Sequence, residues 1–360
     1  MKKILVSIIV CLKDEIESID SCVSGFQNFE LPSNTDYEII FIDGMSTDGT
    51  YEKIEKVARF DDKISLIRNK KVFQVFGINK GIEYANGDYI LWLGAHAIYP
   101  KDYLKILLDT AEESNADYIG GVVETVPWDS SYSASIVQAV STHIFGVGNS
   151  KFRTGTNINS ISDTASFGLF KNEVFNKIGI FDERLIRCQD YELNARIRKN
   201  GGVVWLNSNA VSKYKNVNNY YTFIKKQIFK EAPYNAYMWY LAPYTFTYRH
   251  AITGVFATGV LGGLALSLVF PIIKFLFLSV MALYFIVAFV SAVQQAKRFK
   301  KPLHILTLPI SFFLYHIIHG IGVLTGFFRL ATGTSPIQKI KEPWEGYGSY
   351  RIKLNKSLKK

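Results

Sequence analysis

The side chains in this sequence that could do chemistry are gathered in short turns. Gly94-Ala95-His96 closes the apolar run Tyr89-Ile90-Leu91-Trp92-Leu93 and leads into Ala97-Ile98-Tyr99-Pro100. A buried strand that breaks off into a polar turn delivers that turn to its C-terminal end, where open α/β sheets bind ligands. The imidazole of His96 can ligate Mn²⁺ directly, whereas Mg²⁺ prefers oxygen. A lone histidine is equally a common surface or core residue. Asp43-Gly44-Met45-Ser46-Thr47-Asp48-Gly49-Thr50 follows a second apolar run. Its glycines and hydroxyls make a tight turn that a ligand can approach closely, although Asp43 could simply bond its own backbone. Asp190 stands at the head of a helical pattern reaching about Lys199, where an aspartate can cap the helix or present a carboxylate to a cleft.

Those turns need elements to hold them. Ile4–Val10 reads as a buried parallel strand ending at Leu12-Lys13-Asp14-Glu15, with a helix following to Gln27. Lys2-Lys3 before this run imitates a signal peptide, but charged residues follow at once without a small-residue cleavage site. Tyr37–Ile42 is a second strand, and Asp48 or Thr50 caps a helix starting near Tyr51. Lys63–Ile67 is a third strand, and a helix then ends in the turn Ala85-Asn86-Gly87-Asp88 before Tyr89–Leu93. Strands alternating with helices imply a parallel, doubly wound sheet.

In order and spacing, these motifs resemble a family 2 glycosyltransferase of the GT-A fold. Phe41 to Thr50 resembles that family's nucleotide-binding loop, and Ala95-His96-Ala97-Ile98-Tyr99-Pro100 is similar to the branch that builds bacterial exopolysaccharides such as succinoglycan. Phe145-Gly146-Val147-Gly148-Asn149 with Phe152-Arg153, Asp163-Thr164-Ala165-Ser166-Phe167-Gly168, Gly179-Ile180-Phe181-Asp182-Glu183 and Gln189-Asp190-Tyr191-Glu192 extend the resemblance over roughly residues 4 to 235. The resemblance implies an α/β GT-A fold: a doubly wound mixed sheet with a Rossmann-like nucleotide-binding half, followed by transmembrane or interfacial helices. It implies an inverting transferase with Asp190 as base. It places Leu12, Asp14, Glu15, Asp43, Asn79, Gly94, Ala95 and His96 around the donor, with Asp43 and Glu15 facing ribose and base. Arg153, Asp163, Gln189, Arg196, Gln227 and Lys230 fall on the acceptor or phosphate side. It further implies Mn²⁺ or Mg²⁺, with His96 as metal ligand and favouring Mn²⁺, and a nucleotide sugar, most commonly a UDP-sugar. The acceptor would be a lipid-linked glycan in extracellular or capsular polysaccharide synthesis. Gly94 stands where the family carries the first Asp of Asp-x-Asp, so the rival reading is a non-catalytic nucleotide-sugar-binding or scaffold relative.

The sequence changes character in its last third. Residues 1–215 read as the catalytic domain, and 216–250 as amphipathic interfacial helices with Tyr237, Trp239, Tyr240, Tyr244 and Tyr248 as an aromatic belt. Residues 251–273 and 275–293 form two apolar runs long enough to cross a bilayer, broken by Pro271 and Lys274. A third run, 303–328, is interrupted by Pro309, Gly320 and Gly322, and its topology stays open. His316 and His319, one turn apart within it, suit polar contacts between helices better than a metal. The tail 329–360 carries eight Lys and Arg against two Glu. With a net charge of +10 and Lys297-Arg298-Phe299-Lys300-Lys301 after the second run, this favours a multi-pass protein of the cytoplasmic membrane whose catalytic domain faces the cytosol. No nucleic-acid-binding motif accompanies the charge. Cys11, Cys22 and Cys188 are widely spaced and read as reduced thiols.

Overall fold

The computed structural model describes residues 3–339, and most of the basic tail lies outside them. In chain order the principal elements are β1 (Ile4–Leu12), α1 (Ile19–Gln27), β2 (Thr35–Asp43), α2 (Thr50–Ala58), β3 (Ile64–Arg68), α3 (Gln74–Tyr84), β4 (Tyr89–Gly94), β5 (Ala97–Ile98), α4 (Tyr103–Ser114) and β6 (Tyr118–Val126). Then come α5 (Tyr132–Ser141), α6 (Ile144–Val147), α7 (Lys151–Thr154), β7 (Ser160–Ile161), β8 (Ser166–Lys171), α8 (Asn172–Ile178), α9 (Gln189–Lys199) and β9 (Val204–Lys215). The chain ends in α10 (Tyr220–Lys226), a π-helical turn at Gln227–Glu231, α11 (Ala232–Leu241), α12 (Tyr248–Ser267), α13 (Pro271–Phe299) and α14 (His304–Ala331). Residues 3–124 and 155–214 make one compact unit, and 125–154 with 215–339 the other. The segment 125–154, assigned above to the catalytic domain, therefore groups with the apolar helices.

The first unit is built on a mixed sheet in the order β3-β2-β1-β4-β8-β6-β9-β5, with β7 beside β9. Strands β3, β2, β1 and β4 are mutually parallel, and β8 joins β4 antiparallel. β1 is apolar along nearly its whole length because helices cover both faces of a central parallel strand, and Val6, Ile8, Ile9 and Val10 are fully buried. Sequence alternation identified the parallel half but not the antiparallel strands, which arrive from distant parts of the chain.

In the second unit, α12, α13 and α14 are long and apolar enough to cross a membrane. The break between the first two falls at residues 268–270, not at Pro271 and Lys274. Pro271 opens α13 because the first helical position needs no N–H and favours proline's fixed φ. α14 runs unbroken through Pro309, Gly320 and Gly322. A β-carbon on Gly322 would lie 2.7 Å from Ala232 Cβ, so the glycine permits a close helix approach rather than a break. The expected interfacial belt is also corrected: Tyr237 and Trp239 are buried in α11, which is enclosed on almost every side, while Tyr240 and Tyr248 are exposed. The histidines of α14 bridge helices: Tyr284 Oη lies 2.8 Å from His316 Nδ1, and Thr253 Oγ1 2.8 Å from His319 Nδ1.

Candidate active site

Strand register collects the polar turns at one edge of the sheet. Leu12 pairs with Asp43 and Cys11 with Gly94, so β1, β2 and β4 end at the same level. The turn after β1 is tied to the turn after β2 by backbone-to-side-chain bonds. The Asp14 amide donates to Ser46 Oγ at 2.9 Å and the Thr47 amide to Asp14 Oδ1 at 2.8 Å. The Glu15 amide donates to Thr50 Oγ1 at 2.9 Å, and the Ile16 amide to Asp48 Oδ2 at 3.0 Å. Asp48 accepts the Thr50 amide at 3.0 Å in a turn just ahead of α2, whose N-cap is Gly49 and not the expected Asp48 or Thr50.

Glu15 reaches across this edge to the turn after β4. Its Oε1 lies 3.0 Å from His96 Nδ1, and its Oε2 accepts from Ser18 Oγ at 2.7 Å. Burial raises the Glu15 pKa, but the bonds from His96 and Ser18 outweigh that and leave it below the ordinary value. Glu15 is thus an ionised anchor for the histidine. With Nδ1 engaged by the carboxylate, Nε2 is the nitrogen that can accept or ligate, and the ring is half exposed to do so. Asp43 is completely buried and accepts the amides of Met45 at 3.0 Å and Ser46 at 3.2 Å. It shapes its own turn while Leu12 O accepts the Gly44 amide at 2.8 Å.

Asp190 occupies the first turn of α9, which follows Cys188 in the left-handed conformation, φ 61°. One turn on, Asn194 donates to Thr164 Oγ1 at 3.3 Å and Ala165 O at 3.4 Å, pinning the helix to the segment leading into β8. β8 starts beside the end of β4, so α9 is fixed at the same edge as His96. Burial, then the charges of Tyr103 and Asp190, push the Tyr118 phenol well above its ordinary pKa.

Residues 7–179 match the model of glycosyl transferase family 2. That segment belongs to glycosyl transferase family 2. The chain is 27% identical over 340 residues to the dolichyl N-acetyl-alpha-D-glucosaminyl phosphate 3-beta-D-2,3-diacetamido-2,3-dideoxy-beta-D-glucuronosyltransferase of Methanococcus voltae, covering 90% of this chain and 97% of that protein. It is 29% identical over 201 residues to the succinoglycan biosynthesis protein ExoA of Rhizobium meliloti, covering 55% of this chain and 59% of that one. Among solved structures, the mannosyltransferase PcManGT of Pyrobaculum calidifontis, in complex with GDP-Man and Mn²⁺, aligns at TM-score 0.49 and 14% identity over 98% of this chain and 85% of that one.

Within the glycosyl transferase domain the expected residues divide by what holds them. Leu12, Asp14, Glu15, Asp43, Gly94, Ala95 and His96 converge on the strand ends. Asn79 does not face that edge. It is buried in α3, its amide nitrogen donating to Phe181 O at 2.9 Å and its oxygen accepting the Phe181 amide at 3.0 Å, so it ties α3 to the 181–183 turn. Arg196 is likewise corrected: it is buried, paired with Glu192, and donates to Ile180 O at 2.8 Å and Ile178 O at 3.1 Å. A guanidinium so employed holds the turn before α9. Gln189 is buried and Asp163 half buried beside the start of β8. Arg153, Gln227 and Lys230 belong to the second unit. Gln227 and Lys230 sit on the π-helical turn, where Pro233 lacks a backbone N–H and its ring disfavours a regular turn below it. Ser18, which no motif includes, also belongs to this edge through its bond to Glu15.

Proposed function

We propose that this protein is a membrane-anchored, inverting glycosyltransferase that moves a sugar from a nucleoside-diphosphate donor to a lipid-linked acceptor. The observation that carries the reading is the convergence of the Glu15–His96 pair, the Asp43 turn and the Asp190 helix at one sheet edge, in a chain with three helices of membrane-crossing length. The Methanococcus voltae relative, whose name specifies a dolichyl phosphate-linked sugar, supports the choice of acceptor class.

In this reading the turns after β1 and β2 hold the nucleotide, and Asp190 takes the acceptor proton. The acceptor oxygen bonds to the anomeric carbon as the bond from that carbon to the diphosphate oxygen breaks. The hydroxyl proton passes to the Asp190 carboxylate, and the diphosphate leaves with the bonding electrons. Attack from the side opposite the leaving group inverts the anomeric centre.

The donor atoms at this edge suit a divalent cation only in company. His96 Nε2 is one ligand oriented by a carboxylate, in the manner of a metal-binding histidine. Among the described residues no group of three or more His, Cys, Asp and Glu is placed to hold an ion. His96 would therefore hold the cation together with diphosphate oxygens and water, with Mn²⁺ favoured by the imidazole. Once bound, such an ion neutralises charge on the leaving diphosphate.

The test is transfer by the detergent-purified full-length protein, screened with UDP- and GDP-sugars on polyprenyl-phosphate-linked acceptors. Nucleotide-dependent product from wild type, with inverted anomeric configuration and loss in Asp190→Asn, supports the proposal. Nucleotide binding without product on any acceptor, together with unchanged cellular glycan in Asp190→Asn, would overturn it in favour of a scaffold role.

A further inference from the structure

Position 94 is the place where the Asp-x-Asp pattern would have its first carboxylate, and here it is glycine. The space beside it is filled from another strand. A β-carbon built on Gly94 would stand 3.1 Å from Phe167 Cε1 and 3.4 Å from Cζ. Even the β-carbon requires the Phe167 ring to give by a few tenths of an ångström, and a carboxylate beyond it needs more room.

Several contacts oppose that movement. Phe167 has φ +49°, a left-handed conformation that is unusual for a bulky aromatic residue. Its carbonyl accepts from the buried Tyr103 hydroxyl at 2.7 Å. Its ring meets Tyr99 edge-on with centroids 5.9 Å apart, and lies 6.1 Å from Tyr214. Tyr99 also takes the Gly94 amide on its hydroxyl at 2.9 Å, so the same residue braces both partners. Tyr214 in turn stands 5.4 Å from the His96 ring. The aromatic group thus runs from β8 through position 94 to the metal-competent histidine.

We propose that Phe167 determines the ligand set of this site: its braced ring excludes a carboxylate from position 94, so the cation is recruited only with the nucleotide. The inference rests on the proposed use of His96 toward a cation and goes beyond it, by naming the residue that makes protein-only metal binding weak. Gly94 is then not a simple loss. It is one half of a size-matched pair whose other half is Phe167, and restoring the carboxylate requires changing both.

The experiment compares Mn²⁺ titrations, alone and with UDP or GDP, on detergent-purified full-length wild type, Gly94→Asp, Phe167→Ala and the double variant, reading free Mn²⁺ by electron paramagnetic resonance. The expected result is that the double variant binds Mn²⁺ alone about tenfold or more tightly than Phe167→Ala, because one carboxylate has been added. Gly94→Asp by itself gains less than about threefold, since the ring keeps the carboxylate away. Equal gains in the single and double variants would overturn the proposal. Should Gly94→Asp not fold, Gly94→Ala adds only the β-carbon, and its melting temperature is followed with and without Phe167→Leu. Relief of the Gly94→Ala penalty by Phe167→Leu supports the pairing, and an additive result sinks it. If wild type binds neither nucleotide with Mn²⁺, the proposed function falls, while the comparison of single with double variants still decides the role of Phe167.

Discussion

Glu15 Oε1 lies 3.0 Å from His96 Nδ1, joining two turns that are 81 residues apart in the chain. The bond makes the carboxylate a positioning group. It fixes the ring and leaves Nε2 to face outward, as carboxylate partners do for metal-binding histidines. Glu15→Gln should therefore weaken nucleotide-dependent Mn²⁺ binding by about 10- to 100-fold while nucleotide binding in the absence of metal changes little. Calorimetry with UDP and GDP, with and without Mn²⁺, separates the two. Equal loss under both conditions would instead place Glu15 against the nucleotide itself.

Asp190 is half buried on the first turn of α9, a helix that Asn194 pins to the segment leading into β8. Its replacement by Asn should leave the fold and nucleotide affinity near wild type and slow sugar transfer by roughly 10² to 10⁴, the usual contribution of a general base. Single-turnover assays beside a binding titration check this. A fall in affinity matched by unchanged turnover would assign Asp190 to donor binding.

Arg196 and Glu192 form a buried ion pair within α9, with the guanidinium also bonded to the carbonyls of residues 178 and 180. Removing one partner leaves an uncompensated charge in the interior, at about 3–5 kcal/mol. Arg196→Met should thus lower the melting temperature markedly or prevent folding, whereas Arg196→Lys should retain part of the stability. A role at a substrate phosphate would predict the reverse: a stable protein with weakened binding.

How much of this site was legible in the sequence depends on the range of the interaction. The turns at 12–15, 43–50 and 94–96 were readable because a parallel strand ending in Gly, Asp or His is a local pattern. The turn closed by Asp48 on the Thr50 amide is likewise local, the acceptor lying two residues from the donor. The bonds of Arg196 and Asn79 to buried carbonyls were not readable, because a charged or amide side chain looks the same whether it faces a ligand or a buried carbonyl. Phe167 lay within a recognised motif, but its contact with Gly94 was hidden for a third reason. Its importance lies in a non-bonded approach to Gly94, 73 positions away by number, through an antiparallel strand that alternation could not reveal. The membrane helices were legible as hydropathy, but their ends were not: proline and glycine read as breaks in sequence, whereas Pro271 starts a helix and Gly322 seats a neighbour.

Asp36 offers a pH-dependent prediction away from the site. It accepts from Lys3 Nζ at 2.8 Å and also pairs with Lys63. The bonds from Lys3 and Lys63 hold its carboxyl well below the usual carboxylate range. A depressed folded pKa means the stabilisation is present above the unfolded value, near 3.9, and disappears as pH falls through the folded one. The group is exposed, so screening keeps the effect under about 1 kcal/mol. Asp36→Asn should cost a degree or two of melting temperature at neutral pH and low salt, and nothing in 1 M salt. A cost that persists in high salt would mean that the bond to the Tyr37 amide, at 2.9 Å, carries the effect.

Gly322 makes the last prediction, in the second unit. Its α-carbon faces the π-helical turn and the start of α11: a β-carbon would lie 2.7 Å from Ala232 Cβ, 3.2 Å from Ile228 Cα and 3.3 Å from Ile228 O. Two of those three atoms are backbone, which cannot rotate aside. Gly322→Leu must therefore push the turn carrying Gln227 and Lys230 away from α14, and overpacking of this kind costs about 1–3 kcal/mol. Gly322→Ala should show a smaller effect in the same direction, because a methyl group already meets Ala232. Gly259 is the control: it lies on α12 with nothing within 4 Å of its β-carbon position, so Gly259→Ala should be tolerated. Melting temperatures of the three variants in one detergent test the ranking. Equal tolerance at 322 and 259 would show that the backbone of the π-helical turn is not packed against α14 at this point.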